Sequence, residues 1–322
     1  MFKSKETWMN ILAGTALNVF ILYLSNTLGE LVSLFQLFPL VLLYLSEGYG
    51  AMFLALGLTG LAGYFLVNTV SLVYMMVFMI MGAVLLGYLI SKKKTFNSLV
   101  NAVGLVKLAC VIGMLLVIYY VGKEDPFALI KNQMYAMVDG MQKTLVEDIN
   151  FSDLSKENVD LVVKGFKATV DSMIELMPAL IFIGSYIVSF VNVWLTLVIF
   201  KKTAKKIPYI TKLNLIGDLA ELKRASIAIG IGALLVYVFS LANAGSIIRN
   251  MLLVLAFFYL VDGIMVLDFI YERAKKNWSR FLIPFILLVL LRGHIIYVVI
   301  GFVDMLLNFR RRIIVKDAIF KK

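Results

Sequence analysis

Ionisable side chains are scarce within the apolar stretches of this sequence, so each one is a candidate for chemistry. A charge in hydrocarbon is costly, and intramembrane charges mark binding sites, proton relays or ion paths. The set is Lys107, Glu175, Asp262, Asp268, Arg292 and Asp304. Asp262 and Asp304 are the best pair, with Asn250 and Asn308 near them in sequence. If the last span packs beside the span that carries Asp262, two carboxylates line one cavity. That arrangement suits ligand or cation coordination, or proton uptake. The alternative is structural: Asp304 pairs with Arg310 or Arg311 across a turn and a half, and Asp262 hydrogen-bonds a neighbouring helix.

Lys107 either snorkels to an interface or faces a cavity. Glu175, just before Pro178, reads as a solvated interface residue, and His294 beside Arg292 as a turn residue. Lys92-Lys93-Lys94 and Arg310-Arg311-Arg312 set topology and meet anionic lipid at the inner surface. Other chemistries lack their residues. One cysteine (Cys110) and one histidine exclude an intramolecular disulfide and argue against a metal centre. No phosphate-cradling Gly-x-x-x-x-Gly-Lys, His-Glu-x-x-His or Gly-x-Ser-x-Gly pattern is present. The expectation is a protein without a cofactor that is not an enzyme.

The elements that must position these residues are membrane helices. The 322 residues are 61% hydrophobic, with a mean hydropathy of +0.93, against about 45–50% apolar for soluble domains. The net charge of +11 sits beside apolar segments, which is positive-inside topology rather than a nucleic-acid surface. The first apolar segment lacks a small-x-small cleavage site, so no cleavable signal peptide is expected. Spans are expected at about 8–24, 31–45 (with Pro39), 51–67, 71–90, 99–121, 172–200, 225–241 and 247–269. In the third, Ala55, Thr59 and Gly63 recur at four-residue steps, a spacing that lets helices approach closely in lipid. The basic segment 201–224 reads as a helix lying on the inner surface.

The polar stretch 123–171 divides the chain. Asp125-Pro126 is a helix start, a capping side chain followed by a proline at the first position. Apolar residues then recur at Phe127, Ile130, Met134, Met137, Val138, Met141, Leu145 and Ile149, one stripe on a helix. Residues 150–155 turn, and Val159, Val162, Phe166, Val170 and Met173 form a second stripe on a helix that runs on into the membrane. This is an external amphipathic helical hairpin: a spacer, or an arm that docks a partner. It separates a first membrane bundle of five spans (1–122) from a second bundle (172–322).

Charge fixes orientation. The hairpin stretch has 6 Lys against 9 Asp or Glu, net −3, and belongs outside. The basic clusters at both ends belong inside, which requires an even number of crossings. Phe281–Phe309 is then two short helices turning at 292–294, and the fold is all-α with ten transmembrane helices, or nine if that segment is a single helix.

The tail from Gly301 to Arg312, GFVDMLLNFRRR, and the segment Asn250 to Gly263 resemble the YybS-like membrane proteins of Gram-positive bacteria. That family is distantly similar to the S components of energy-coupling factor transporters. The similar part is the first five spans: Phe38-Pro39 before a small-residue span, then a span with Gly82 and Gly87 closing on three lysines. Where S components carry an Ala-x-x-x-Ala docking surface, the first span has Ala13, Gly14 and Ala16. The resemblance implies a solute-binding or transport subunit of the bacterial inner membrane, served by ATPase and transmembrane coupling subunits. From another class, the chain reads as a scaffold or regulatory protein that binds itself or an envelope protein through 123–171. A third reading is a solo ion- or proton-coupled transporter using Asp262 and Asp304.

Overall fold

The computed structural model describes residues 5–67, 69–147, 156–203, 219–239, 243–273, 294–310 and 312–313. Among these residues every regular element is helical. In lipid a backbone must satisfy its own hydrogen bonds, and runs of Leu, Val, Ile, Met and Phe accordingly settle as helices. In chain order they are α1 (Lys5–Leu28), a 3₁₀ helix (Gly29–Phe35), α2 (Phe38–Glu47), α3 (Tyr49–Leu66), α4 (Thr69–Ser91), α5 (Phe96–Tyr120), α6 (Pro126–Glu147), α7 (Lys156–Glu175), α8 (Met177–Thr203), α9 (Leu219–Val238), α10 (Ala244–Arg273) and α11 (His294–Leu307).

Among the described residues six helices are long and apolar enough to cross a membrane: Lys5–Leu24, Tyr49–Leu66, Ser71–Ser91, Phe96–Tyr120, Met177–Phe200 and Ala244–Leu267. Leu31–Glu47 and His294–Leu307 are shorter apolar stretches. The expected turn at 292–293, the first of the two short helices expected over Phe281–Phe309, and most of the expected surface helix at 201–224 lie outside the described residues.

Two expected spans are broken. The span expected at 31–45 is a 3₁₀ turn followed by α2, with the break at Gln36 and Leu37. The span expected at 172–200 is interrupted at Leu176, between α7 and α8. In both places a proline stands two residues into the new helix, Pro39 and Pro178. Each lacks the N–H that would continue the preceding ladder.

Glycines set the close contacts. A Cβ on Gly82 or Gly63 would meet the side chains of Leu37 or Leu72 at 2.9 and 2.6 Å, and one on Gly87 would lie 2.1 Å from the Tyr44 ring. Ala55 and Thr59, on the small-residue face of α3, are fully buried. The main core joins α2, α3, α4, α5 and α8 through Leu37, Met52, Phe78, Leu86, Leu99 and Val193. α8 packs on α5, on α2 and on the 3₁₀ helix, and also on α10. At one end of this bundle Thr7 and Asn10 of α1 donate to Glu47 at 2.8 Å each, and Ser91 Oγ lies 3.4 Å from Tyr44 Oη.

The hairpin forms from α6 and α7. Asp125 caps α6 as its position suggests, accepting from the N–H groups of Phe127 at 2.9 Å and Ala128 at 3.3 Å. Its core is Val138, Val159, Val163 and Val170 with Met134, Tyr135 and Ile174. The seam is rotated from the expected stripe. Val163 rather than Val162 faces inward, and Met137, Met141, Val162, Phe166 and Met173 are exposed. Polar pairs run along the seam: Lys167 with Asp139 at 2.8 Å, Gln142 to Asp160 at 3.1 Å, and Lys131 with Asp171 at 2.6 Å.

Candidate functional site

The carboxylates Asp262 and Asp304 meet because two glycines let their helices touch. A Cβ on Gly263 would lie 1.9 Å from the Tyr297 carbonyl oxygen, and one on Gly301 would lie 2.0 Å from that of Tyr259. Only glycine fits either point, and α10 and α11 therefore run backbone against backbone. Asp262 adjoins Gly263, and Asp304 lies one turn beyond Gly301. The chain then leaves α11 through Asn308, whose φ of 53° is left-handed. Asparagine tolerates that conformation better than most residues. The reversal carries Arg310 back onto the pair.

Arg310 Nε donates to Asp304 Oδ2 at 2.8 Å, and Nη2 donates to Asp262 Oδ1. All three side chains are buried, at 5, 0 and 4% exposure for Arg310, Asp304 and Asp262. Asp262 Oδ2 and Arg310 Nη1 have no hydrogen-bond partner among the described residues. Of the two readings of Arg310, an inner-surface lipid contact and a partner for Asp304, the structure has the second, with the side chain buried against Asp304. Arg312 is exposed, as are Lys92, Lys93 and Lys94, and Arg311 lies outside the described residues. With all three groups ionised the cluster carries one net negative charge.

Asn250 is not part of that cluster. It sits at the α7–α8 break, where its Oδ1 accepts from Ala179 N–H at 2.9 Å and its Nδ2 donates to Glu175 C=O at 2.8 Å and to Ser246 C=O at 3.0 Å. Glu175 pairs with Arg249 at 2.5 Å on an exposed face. The other break has the same arrangement. Asn192 Oδ1 accepts from Leu37 N–H at 2.9 Å, and its Nδ2 donates to Ser33 C=O at 2.8 Å and to Val188 C=O at 2.9 Å.

A second buried polar group lies in the first bundle. Lys107 is in the middle of α5 and 3% exposed, with Nζ 4.7 Å from the ring centres of both Tyr74 and Phe78. It does not snorkel to an interface. One turn before it, a Cβ on Gly104 would lie 3.5 Å from Ser189 Oγ. Ser189 is one turn from Asn192. Gln36, at the 3₁₀–α2 break, is 1% exposed. Ser189 Oγ and both polar side-chain atoms of Gln36 lack partners among the described residues. The same holds for Asn18, fully buried on α1. Sequence reading passed over Gln36, Ser189, Asn192 and Asn18. Their one signal was a carboxamide or hydroxyl inside an apolar run.

Apolar helices of spanning length, with ions and carboxamides buried between them, define a multi-pass helical membrane protein. The chain belongs to the family described as Predicted membrane protein (DUF2232), which matches residues 14–305. No curated protein and no solved structure matches it.

Proposed function

We propose that the protein is a solute-binding or transport subunit of the bacterial cell membrane, of YybS-like type and similar to an S component, with its site inside the first bundle. The observation that supports this most is Lys107. Burying an ammonium group at the middle of an apolar helix is expensive. Here it lies one turn from a helix contact whose Ser189 has no partner among the described residues, and Asn192, one turn from that serine, holds the broken helix whose Gln36 side chain is likewise without one. Membrane transporters characteristically place their sites at such breaks near mid-bilayer. In this reading the chain crosses ten times, both termini are cytoplasmic and 123–171 is outside. ATPase and transmembrane coupling subunits supply the energy.

The test is purification in mild detergent from native membranes, with mass spectrometry of bound proteins and small molecules. An ATPase pair with a coupling subunit, or a retained small solute, supports the reading. Recovery of the protein alone, or with an unrelated envelope protein and no solute, overturns it.

One observation favours a scaffold instead. The hairpin exposes Met137, Met141, Val162, Phe166 and Met173, an apolar face outside the membrane bundle, and exposed apolar patches mark contact surfaces. If that face binds a second copy or an envelope protein, Phe166→Ser with Met137→Ser abolishes the association and leaves thermal stability unchanged. Unchanged association removes this reading. The Asp262–Arg310–Asp304 cluster supports a third, ion-coupled transport, in which Asp262→Asn and Asp304→Asn each abolish transport by a protein that still folds.

A further inference from the structure

We infer that the first bundle recognises an anionic group, a carboxylate or phosphate on a small solute, at the point where Lys107, Gln36 and the N-terminus of α2 come to one depth. This rests on the solute-binding reading above and specifies its ligand. Two distances, each taken from the same end of the bundle, agree. α2 is ten residues long, which puts its N-terminus about 15 Å from Glu47. Lys107 lies about 16 Å along α5 from Phe96, and Phe96 starts at the same end, because Ser91 at the close of α4 reaches Tyr44 in the last turns of α2. Half of a hydrocarbon core is about 15 Å, the depth both groups reach when that end of the bundle lies at its edge.

Lateral contacts close a ring at that depth. The Leu37 side chain fills the space over Gly82 of α4, and Phe78, one turn away, lies under the Lys107 ammonium. Leu37 N–H is held by Asn192 of α8. Ser189, one turn from Asn192, sits against Gly104, one turn from Lys107. The start of a helix carries partial positive charge, which favours an anion. Lys107 adds a full positive charge. Gln36 precedes the α2 cap, is 1% exposed, and offers an amide N–H₂ with no partner among the described residues. Ser189 adds a hydroxyl in the same state. A cation, a helix N-terminus and two free donors form a receptor for negative charge, and the Tyr74 and Phe78 rings supply an apolar wall.

The test uses full-length protein in detergent and follows thermal unfolding with inorganic phosphate, succinate and benzoate, and with the neutral partners succinamide and benzamide. The expected result is a rise of several degrees in Tm with at least one anion and none with its neutral partner. The shift is lost in Lys107→Met and in Gln36→Met, and kept in Lys92→Met. Gln36→Met leaves the lysine and its rings in place, and it serves if Lys107→Met does not fold. No shift with any of the anions overturns the inference. An equal shift with an anion and its amide also overturns it while leaving solute binding standing, and native purification, which tests solute binding itself, separates the two failures.

Discussion

Asn192 and Asn250 stand in for the same backbone hydrogen bond at two different helix breaks. In a continuous helix, Leu37 N–H would bond Ser33 C=O, and Ala179 N–H would bond Glu175 C=O. In each case a carboxamide from a neighbouring helix takes both halves of the missing bond, and its second N–H returns to its own helix four residues back. α8 is thus held by α10 at one end while holding the 3₁₀–α2 break in its middle. Removing either side chain orphans an N–H and a C=O, at about 1–3 kcal/mol for each buried group. Asn192→Leu should cost more than Asn250→Leu, because Asn192 is fully buried and Asn250 only partly. Asn192→Asp should be no better, since it sets a carboxylate against the Ser33 and Val188 carbonyls. Unfolding in detergent gives the order, and equal stabilities across the series would show that water serves these groups as well.

Gly263→Ala and Gly301→Ala each drive a methyl group into main chain rather than into a yielding side chain. Overpacking costs about 1–3 kcal/mol even where side chains can move, so these two should fall at or beyond the top of that range. Gly184→Ala and Gly230→Ala, with nothing within 4 Å of the new Cβ, should be tolerated. Thermal unfolding of the four variants side by side checks the contrast.

Arg310→Met leaves two carboxylates facing each other in a buried site. Breaking a buried ion pair from one side costs about 3–5 kcal/mol. Arg310→Lys should recover only part of this, because an ammonium cannot fork to two carboxylates as a guanidinium does. The triple change Arg310→Met, Asp262→Leu, Asp304→Leu should restore much of the lost stability, since apolar replacement of a whole buried ion cluster is often neutral. Failure of the triple variant to outlast Arg310→Met in detergent would show that the cluster is not coupled.

The hairpin should loosen in acid. Lys131 and the Tyr135 hydroxyl, which donates to Asp171 at 2.8 Å, hold the Asp171 carboxyl below the usual aspartate range. A depressed acid contributes stability above its ordinary pKa, about 3.9, and loses it as pH falls through the lower folded value. The same contact raises Lys131 and Tyr135. Their contributions are present below about pH 10 and disappear as pH rises through the shifted values. Hydrogen exchange over 126–175 should therefore show protection that weakens at both extremes. Asp171→Asn should flatten the acid limb, and an unchanged limb would assign the loosening to another group.

Period and composition were enough to read an all-helical chain with several spanning helices, the Asp125 cap and the pairing of α6 with α7, because each depends on residues close in sequence. The helix breaks were not readable. Pro39 and Pro178 were visible, but the groups that make their breaks affordable, Asn192 and Asn250, come from 155 and 71 residues away. Asp262 and Asp304 stood out as charges among apolar residues. Arg310 was readable from its spacing as a partner of Asp304, but not as a partner of Asp262, because that contact needs α10 and α11 packed together and the chain turned back at Asn308. The hairpin seam was misplaced by one residue at Val163 because a stripe of apolar residues wider than one seam leaves the choice open. Lys107 was noticed for its charge, and its burial was decided by Tyr74 and Phe78 on another helix.

The bond between Arg310 and Asp262 spans 48 residues and sets an order on synthesis. The α10 carboxylate is made well before the guanidinium that neutralises it, so α10 reaches the membrane with an uncompensated charge. The contact itself can form only when α11 and the turn at Asn308 have followed. A chain halted before residue 310 would carry both carboxylates without their guanidinium partner. Released chains that end at residues 307 and 313 should differ in thermal stability in detergent, with the shorter one weaker.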